Sequence, residues 1–263
     1  MSFFFCAAAL HRRAVTALCA GMAGLVCAGS GGLMNAVAAD NVDARRARMV
    51  EEVAQMARDS ARETGRGRLD ERVMAALGKV ERHRFMPPSQ FAHAYENRPL
   101  PIGHDQTISQ PFVVALMTDL LDIKPGDKVL EVGTGLGYQA AVLAELARAV
   151  YTIEIVEPLG RAAAGALAAA GYWNVQPRIG DGYRGWLEEA PFDAIMVTAA
   201  APHLPQPLVD QLKAGGRLVI PLGERGAQSL YVVEKDARGG VTQRKVIAVR
   251  FVPFTGDAVR RKP

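Results

Sequence analysis

The chain has 263 residues, of which 49% are hydrophobic and 22% are charged, with a formal net charge of +4. This composition is ordinary for a globular protein with one main domain. Basic residues are spread along the chain and the cluster at 260–262 is short, so we expect no nucleic-acid binding.

The first 39 residues differ from the rest of the chain. Two arginines at 12–13 precede an apolar, uncharged run over 14–27 that is too short to span a membrane comfortably. Small residues over 36–39 supply a cleavage motif before Asp40. We therefore predict a secretory signal peptide over 1–39 and a periplasmic or secreted mature protein without stable membrane association. An uncleaved anchor helix, or a cytoplasmic protein with a misassigned start, is the alternative.

All cysteines of the chain lie within this leader, at Cys6, Cys19 and Cys27. A mature protein without the leader then has no disulfide and no cysteine metal site, and we expect no metal. No internal repeat follows the leader, and we expect a monomer.

Two amphipathic helices are expected after the leader. Apolar residues at helical spacing predict a helix from 42 to about 66, which Gly65 helps to end. A second helix is predicted over 70–77, before the prolines at 87–88 break the pattern. We assign residues 40–99 to an N-terminal helical cap on the main domain.

The segment 100–111 has neither a helical nor an alternating apolar pattern, so we expect a loop. Thr107 and Ser109 offer two hydroxyls as binding groups. Capping of the helix after Pro111 explains Ser109 equally well at this stage. His104 is a candidate base, although a lone histidine in a loop is more often solvated.

Strands and helices alternate from residue 122 onward, which predicts parallel crossovers. We expect strands at 127–132, 150–155, 175–179, 194–197 and 217–221, and helices near 138–147, 158–170 and 206–212. Two further strands, 230–234 and 246–252, flank a turn-rich stretch that is typical of a hairpin. The fold class is therefore α/β, a doubly wound, mostly parallel sheet with an antiparallel late strand. This domain is assigned to 100–256, and 257–263 to a tail.

A glycine-rich turn follows the first strand of this sheet, with Gly133, Gly135 and Gly137 at alternate positions. Glycine lets the backbone approach a ligand closely, although a turn needed only for packing would have the same sequence. The spacing differs from that of dinucleotide-binding folds. Glu131 precedes the turn, where a carboxylate would repel a pyrophosphate and suit a cationic cofactor.

Two more carboxylates are expected at the same edge of the sheet. Glu154 ends the second strand, 21 residues after Gly133 (154 − 133), where it can accept hydrogen bonds from both ribose hydroxyls. Asp181 follows the third strand and can accept from an adenine amino group, although an Asp-Gly turn is the simpler explanation. With Glu131, these carboxylates favour S-adenosylmethionine over a dinucleotide.

Several motifs resemble the protein-L-isoaspartate O-methyltransferase family over roughly residues 49–256. They are LPIG at 100–103, QTISQP at 106–111, VLEVGTGLGYQ at 129–139, GDG at 180–182, PFDAI at 191–195 and VRFVP at 249–253. The Thr-Ile-Ser loop distinguishes this family from other methyltransferases with the same sheet. The resemblance implies the fold of S-adenosylmethionine-dependent methyltransferases with an extra antiparallel strand late in the sheet.

The resemblance also implies roles for individual residues. Ser109 is the active-site serine, and Thr107 and Ser109 bind the substrate. The implied cofactor-binding residues are Gln106, Thr107, Ile108, Ser109, Glu131, Gly133, Thr134, Gly135, Leu136, Gly137, Glu154, Gly180, Asp181 and Thr255. Leu136 departs from the serine that the family often has, and the leader departs from its many cytosolic members.

The implied reaction is methyl transfer from S-adenosylmethionine to the free α-carboxylate of L-isoaspartyl residues in damaged proteins, with D-aspartyl residues as an open possibility. The ester then closes to a succinimide, whose hydrolysis returns some normal aspartate. Because the acceptor is already ionised near pH 7, no strong base is required, and Ser109 would orient the carboxylate. Three alternatives are a methyltransferase acting on small molecules, a silent cofactor-binding module and, more distantly, a dinucleotide oxidoreductase.

Overall fold

The computed structural model describes residues 30–224 and 226–257. The chain divides into two compact units, residues 1–42 and 43–263. Within the first unit, the described part is helical from Ser30 onward. The three cysteines, most of the predicted signal peptide and the tail after residue 257 lie outside the described residues.

The helices before the main sheet begin earlier and are more broken than the sequence predicts. They are α1 (Ser30–Asp59), α2 (Ala61–Thr64) and α3 (Glu71–Lys79), followed by 3₁₀ turns at Arg82–Phe85 and Pro88–His93. Gly65 ends α2 with φ of 70°, a conformation that favours glycine. The Asp70 side chain caps α3 by accepting a hydrogen bond from the backbone N–H of Arg72. The predicted helix boundaries at Gly65 and Asp70 are therefore confirmed.

The expectation of a plain loop over residues 100–111 is wrong. Strands β1 (Leu100–Gly103) and β2 (Gln106–Ile108) pair antiparallel in a short hairpin. His104 and Asp105 form its turn, with φ of 52° and 56°. Positive φ is uncommon outside glycine but enriched for His and Asp, and two such residues in succession are typical of a tight hairpin turn. Strands this short contain too few alternations for the pattern to be recognised.

The described residues include seven strands that form one sheet, with one helix before the first strand and three helices between later strands. The elements are α4 (Pro111–Leu121), β3 (Lys128–Val132), α5 (Tyr138–Ala144), β4 (Ala149–Glu154), α6 (Glu157–Ala169), β5 (Val175–Ile179), β6 (Phe192–Val197), α7 (Gln206–Gln211), β7 (Leu212–Leu222), β8 (Gln228–Lys235) and β9 (Val241–Val249). The strand order is β5-β4-β3-β6-β7-β8-β9. Strands β3 to β7 are mutually parallel, and β8 is antiparallel to both its neighbours. The predicted α/β fold with an antiparallel late strand is confirmed.

The order of the strands places a crevice at the carboxyl end of β3. From β3 the chain proceeds to β4 and β5 on one side, and then crosses to β6 and β7 on the other. Ligands of open α/β sheets bind where the strand order reverses in this way. Apolar side chains of the central strands are almost completely buried, including Leu130, Ile153 and Ile195. This packed core makes the carboxyl edge a rigid platform for the loops above it.

Among the described helices, none combines the length and apolar character that a membrane crossing requires.

Candidate active site

The glycine turn lies at this crevice, between the ends of β4 and β6. Gly133, Gly135 and Gly137 have φ of 99°, 56° and 97°. A Cβ on Gly133 would lie 2.2 Å from Oγ1 of Thr198, so the turn cannot close with a larger residue there. The Thr198 hydroxyl donates a hydrogen bond to the Gly133 carbonyl at 2.6 Å. The turn is thus fixed across the point where the strand order reverses.

Glu154 ends β4 beside this turn, and the backbone holds its carboxylate in place. Its Oε2 accepts from the Gly135 N–H at 2.7 Å, and its Oε1 accepts from the Val156 N–H at 2.9 Å. A carboxylate can accept more than two hydrogen bonds, so both oxygens retain capacity for a ligand. Its orientation is fixed before any ligand arrives.

Two narrow cavities of about 70 and 40 Å³ flank the glycine turn. Gln106, Thr107, Gly133, Gly135, Glu154 and Thr255 are the predicted residues that line the larger one. Thr107, Ile108, Ser109, Gly133, Thr134, Gly135 and Leu136 line the smaller one. The structure therefore brings together predicted residues from four separate parts of the sequence.

A segment near the carboxyl end, residues 252–255, lies over the larger of these cavities. The N–H of Phe254 donates to the Ala200 carbonyl at 2.8 Å, which ties the segment to the chain after β6. Beyond it, Asp181 Oδ2 accepts from the N–H of Asp257 at 2.8 Å, while Oδ1 accepts from the N–H of Tyr183. Asp181 thus anchors the end of the segment that lies over the larger narrow cavity.

A third and larger cavity of about 950 Å³ opens beside the glycine turn. Thr107, Ser109 and Thr198 line both this cavity and the smaller narrow one, so they form a shared wall. The N-cap position of α4 is Gln110, whose side chain makes no capping bond, and the Phe112 N–H in the first turn donates to Oδ1 of Asn97 instead. The alternative interpretation of Ser109 as a helix cap is therefore wrong. Among the described residues, no hydrogen bond engages the hydroxyls of Thr107 or Ser109.

Glu131 lies beneath the glycine turn and lines neither narrow cavity. It is 0% exposed, and its Oε2 accepts a 2.5 Å hydrogen bond from the Thr152 hydroxyl. Burial raises the pKa of Glu131 to about 8. The strand β3 is covered on both faces, as central parallel strands are, so a side chain within it is buried on either face. Glu131 therefore lies below the lining of both narrow cavities, and its contact with a cofactor stays a prediction.

Four other candidate residues also lie off the two narrow cavities. Gly137 precedes α5 and packs against α6, where a Cβ would lie 3.1 Å from Leu167. Gly180 and Asp181 do not line the larger narrow cavity, although the next residue, Gly182, does. His104 is exposed in the hairpin turn.

Thr198 is the main site residue that the sequence analysis missed. It lines all three cavities and fixes the glycine turn. The strand predicted over 194–197 ends immediately before it, and the ends of parallel strands meet at one edge. Inspecting the residue after each predicted strand would have found Thr198.

The larger narrow cavity fits S-adenosylmethionine in its chemistry. The Glu154 carboxylate suits the hydroxyls of a ribose, and the bare backbone of Gly133 and Gly135 admits close approach. No basic side chain of the described residues lines either narrow cavity, so a pyrophosphate would lack a counter-charge. A nucleoside exceeds 70 Å³, so this cavity has to widen to admit it. No group of three or more His, Cys, Asp or Glu side chains able to hold a metal occurs among the described residues.

The doubly wound sheet, glycine turn and strand-end carboxylate define an S-adenosylmethionine-dependent methyltransferase. The family model described as Protein-L-isoaspartate(D-aspartate) O-methyltransferase matches residues 51–259. The chain therefore belongs to the protein-L-isoaspartate O-methyltransferase family.

Relatives of known sequence support this assignment. The chain is 62% identical over 210 residues to Protein-L-isoaspartate O-methyltransferase 2 of Polaromonas sp., covering 80% of this chain and 100% of the relative. It is 59% identical over 218 residues to Protein-L-isoaspartate O-methyltransferase 1 of Cupriavidus necator, covering 82% of this chain and 84% of the relative.

Solved structures agree with the sequence relatives. A protein-L-isoaspartate O-methyltransferase superimposes with a TM-score of 0.71 at 25% identity, covering 81% of this chain and 67% of the other. A putative protein-L-isoaspartate O-methyltransferase from Plasmodium falciparum, in complex with S-adenosyl-L-homocysteine, has a TM-score of 0.61 at 28% identity. That match covers 71% of this chain and 91% of the other.

Proposed function

We propose that this protein methylates the free α-carboxylate of L-isoaspartyl residues in damaged proteins, using S-adenosylmethionine, and so initiates their repair. The wall between the smaller narrow cavity and the large cavity carries this proposal, because Thr107 and Ser109 line both, and Thr107 also lines the larger narrow cavity that fits the cofactor. A methyl donor on one side and an acceptor on the other can then meet at two hydroxyls. The names of the relatives support isoaspartate as the acceptor.

Bound S-adenosylmethionine supplies an electrophilic methyl group on its sulfonium. An oxygen of the acceptor carboxylate forms a bond to this methyl carbon, in line with the carbon–sulfur bond. That bond breaks, and its electron pair stays on sulfur. The hydroxyls of Ser109 and Thr107 donate hydrogen bonds to the carboxylate and hold one oxygen towards the methyl carbon. No proton has to leave the acceptor, because a carboxylate is ionised near pH 7. Catalysis therefore rests on alignment and needs no general base.

The size and form of the large cavity support a protein substrate. It has about 950 Å³ and is lined on one side by apolar residues of α4, such as Phe112 and Leu116. A flexible, damaged segment can occupy such an open space without a fixed sequence. The backbone nitrogen of the next residue then attacks the ester carbonyl and methanol leaves, which closes the succinimide spontaneously, whereas a carboxylate has no comparable leaving group.

The proposal is tested with peptides of one sequence that contain isoaspartate, D-aspartate or normal aspartate, alongside small carboxylic acids. Methyl incorporation into the isoaspartyl peptide alone, or with lower incorporation into the D-aspartyl peptide, is expected. Preference for a small acceptor would instead support a small-molecule methyltransferase. Cofactor binding by calorimetry without any methyl transfer would indicate a silent binding module.

We propose that the mature protein acts in the periplasm or outside the cell, as a monomer. The arginine pair at 12–13, the apolar run over 14–27 and the small residues before Asp40 support export. Cell fractionation with N-terminal sequencing tests this: a mature chain that starts near Asp40 in the periplasmic fraction is expected. An intact leader in the cytoplasm would contradict it. Light scattering of the purified mature protein tests the monomer.

A further inference from the structure

The ionisable side chains that line the large cavity beside Ser109 are all positively charged among the described residues. Lys245 and Arg250 line it, and none of the other described residues that line it is ionisable. The chain as a whole has 27 acidic residues against 31 basic ones, so a purely cationic wall departs from its average surface. The positive potential is therefore localised where the acceptor has to enter.

The two cations are free to interact with a ligand. Both are exposed, and no ion pair or hydrogen bond engages either side chain among the described residues. Some basic residues elsewhere are paired with acidic ones, such as Lys213 with Asp193 at 2.6 Å and Arg217 with Glu234 at 2.9 Å. An unpaired cation at a cavity attracts anionic groups from solution, as electrostatic steering requires.

The spacing of the two cations suits an extended polypeptide. Lys245 lies within β9, and Arg250 follows this strand directly. Because β9 has a bulge between Lys245 and Ala248, the five residue steps to Arg250 span at most roughly 17 Å, the length of about five extended substrate residues. Ser109 lines the same cavity as the two cations, so carboxylates that flank an isoaspartyl residue held at Ser109 share this cavity with them.

We propose that Lys245 and Arg250 are specificity-determining residues that favour isoaspartyl sites flanked by aspartate or glutamate. This rests on the proposed function, since it concerns which isoaspartyl segments bind best. Apolar residues of the same cavity, including Phe112 and Phe251, contact the substrate without selecting charge. The cations add selection by charge to a cavity that is otherwise tolerant of sequence.

The test uses three isoaspartyl peptides that differ only in their flanking residues, which are Glu, Gln or Lys. We expect the Glu peptide to have a KM about fivefold below that of the Gln peptide, the size expected of two exposed ion pairs, with similar kcat. The Lys peptide should have the highest KM. The difference in KM between the Glu and Gln peptides should shrink as the ionic strength rises from about 0.05 to about 0.5 M, because salt screens exposed charges.

The variant K245Q/R250Q should bring the KM ratio of the Glu and Gln peptides close to one. Arg244→Gln is the matched control, since it removes an exposed cation from the adjacent position of β9 and this side chain does not line the cavity. It should leave the ratio unchanged. A ratio near one in the unmodified protein, or an unchanged ratio in the double variant, would overturn the inference. Methylation of none of the three peptides would instead overturn the proposed function.

Discussion

Arg82 donates a hydrogen bond from Nη2 to the main-chain carbonyl of Ser109 at 2.8 Å, and from Nε to the carbonyl of Ala94 at 3.0 Å. Its side chain is 0% exposed, and burial lowers its pKa to about 10. The guanidinium carbon lies 4.7 Å from the ring centroid of Tyr138, the first residue of α5 after the glycine turn. Arg82 therefore connects the backbone at Ser109 with the start of the cofactor-side helix.

Arg82→Met should impair both stability and turnover. It leaves the carbonyls of Ser109 and Ala94 without a donor, which we expect to lower the free energy of unfolding by about 2 kcal/mol. Because the backbone at Ser109 is then less well fixed, kcat should fall more than KM rises. Urea unfolding and peptide kinetics measure the two effects. Unchanged kcat in a folded variant would exclude a positioning role.

Ser109→Ala should lower turnover more than cofactor affinity. A hydrogen bond to a charged carboxylate contributes about 1.5–3 kcal/mol, so we expect kcat to fall roughly 10- to 100-fold. The affinity for S-adenosylhomocysteine, measured by calorimetry, should change little. Ser89→Ala in the exposed 3₁₀ turn is the control for loss of a hydroxyl. Equal losses of turnover and cofactor affinity would contradict orientation of the acceptor by Ser109.

Asp181→Ala should loosen the segment 252–255, which lies over the larger narrow cavity. It removes the acceptor for the N–H groups of Tyr183 and Asp257, so amide exchange over 252–257 should quicken. Affinity for S-adenosylhomocysteine should fall by roughly 10-fold, the value of about one hydrogen bond. Asp236→Ala removes similar bonds, to the N–H groups of Arg238 and Gly240 in the β8–β9 turn, and should not affect cofactor affinity. Equal affinity in both variants would argue against Asp181 as the anchor.

Glu131 should make the protein less stable as pH rises. Its pKa is about 8 in the folded protein and about 4.5 in the unfolded chain, so the folded state binds the extra proton between these values. The contribution of Glu131 to stability is thus complete below about pH 4.5 and is lost progressively up to about pH 8. Glu131→Gln should make the decline in unfolding free energy shallower over this range, measured by urea unfolding. A decline of the same steepness in the variant would contradict this.

The regular part of the fold was predictable, because each strand of the parallel sheet is an apolar run bounded by turn residues. The glycine turn and Glu154 were predictable in turn, because each lies at the end of a strand that the apolar pattern identifies. The β1–β2 hairpin was missed because its strands are too short to show a period, and its turn contains His104 and Asp105 in place of glycine. Tertiary packing, which local sequence does not encode, decided the burial of Glu131.

Arg82 and Thr198 illustrate why parts of the site cannot be recognised from motifs. Each acts on a residue far away in sequence, since Arg82 bonds to Ser109 and Thr198 bonds to Gly133. Arg82 has no local pattern that separates it from an ordinary basic residue, and Thr198 is marked only by its position directly after a predicted strand. Only the fold brings these partners together.

Mass spectrometry of one matched peptide pair, isoaspartyl and aspartyl, during incubation with S-adenosylmethionine tests the central claim most directly. The isoaspartyl peptide should gain one methyl group, lose it as methanol to form a succinimide, and return partly as normal aspartyl peptide. The aspartyl peptide should remain unmodified, because its side-chain carboxylate is not presented like a free α-carboxylate. Equal methylation of both peptides, or methylation of neither while the cofactor binds, would contradict the account.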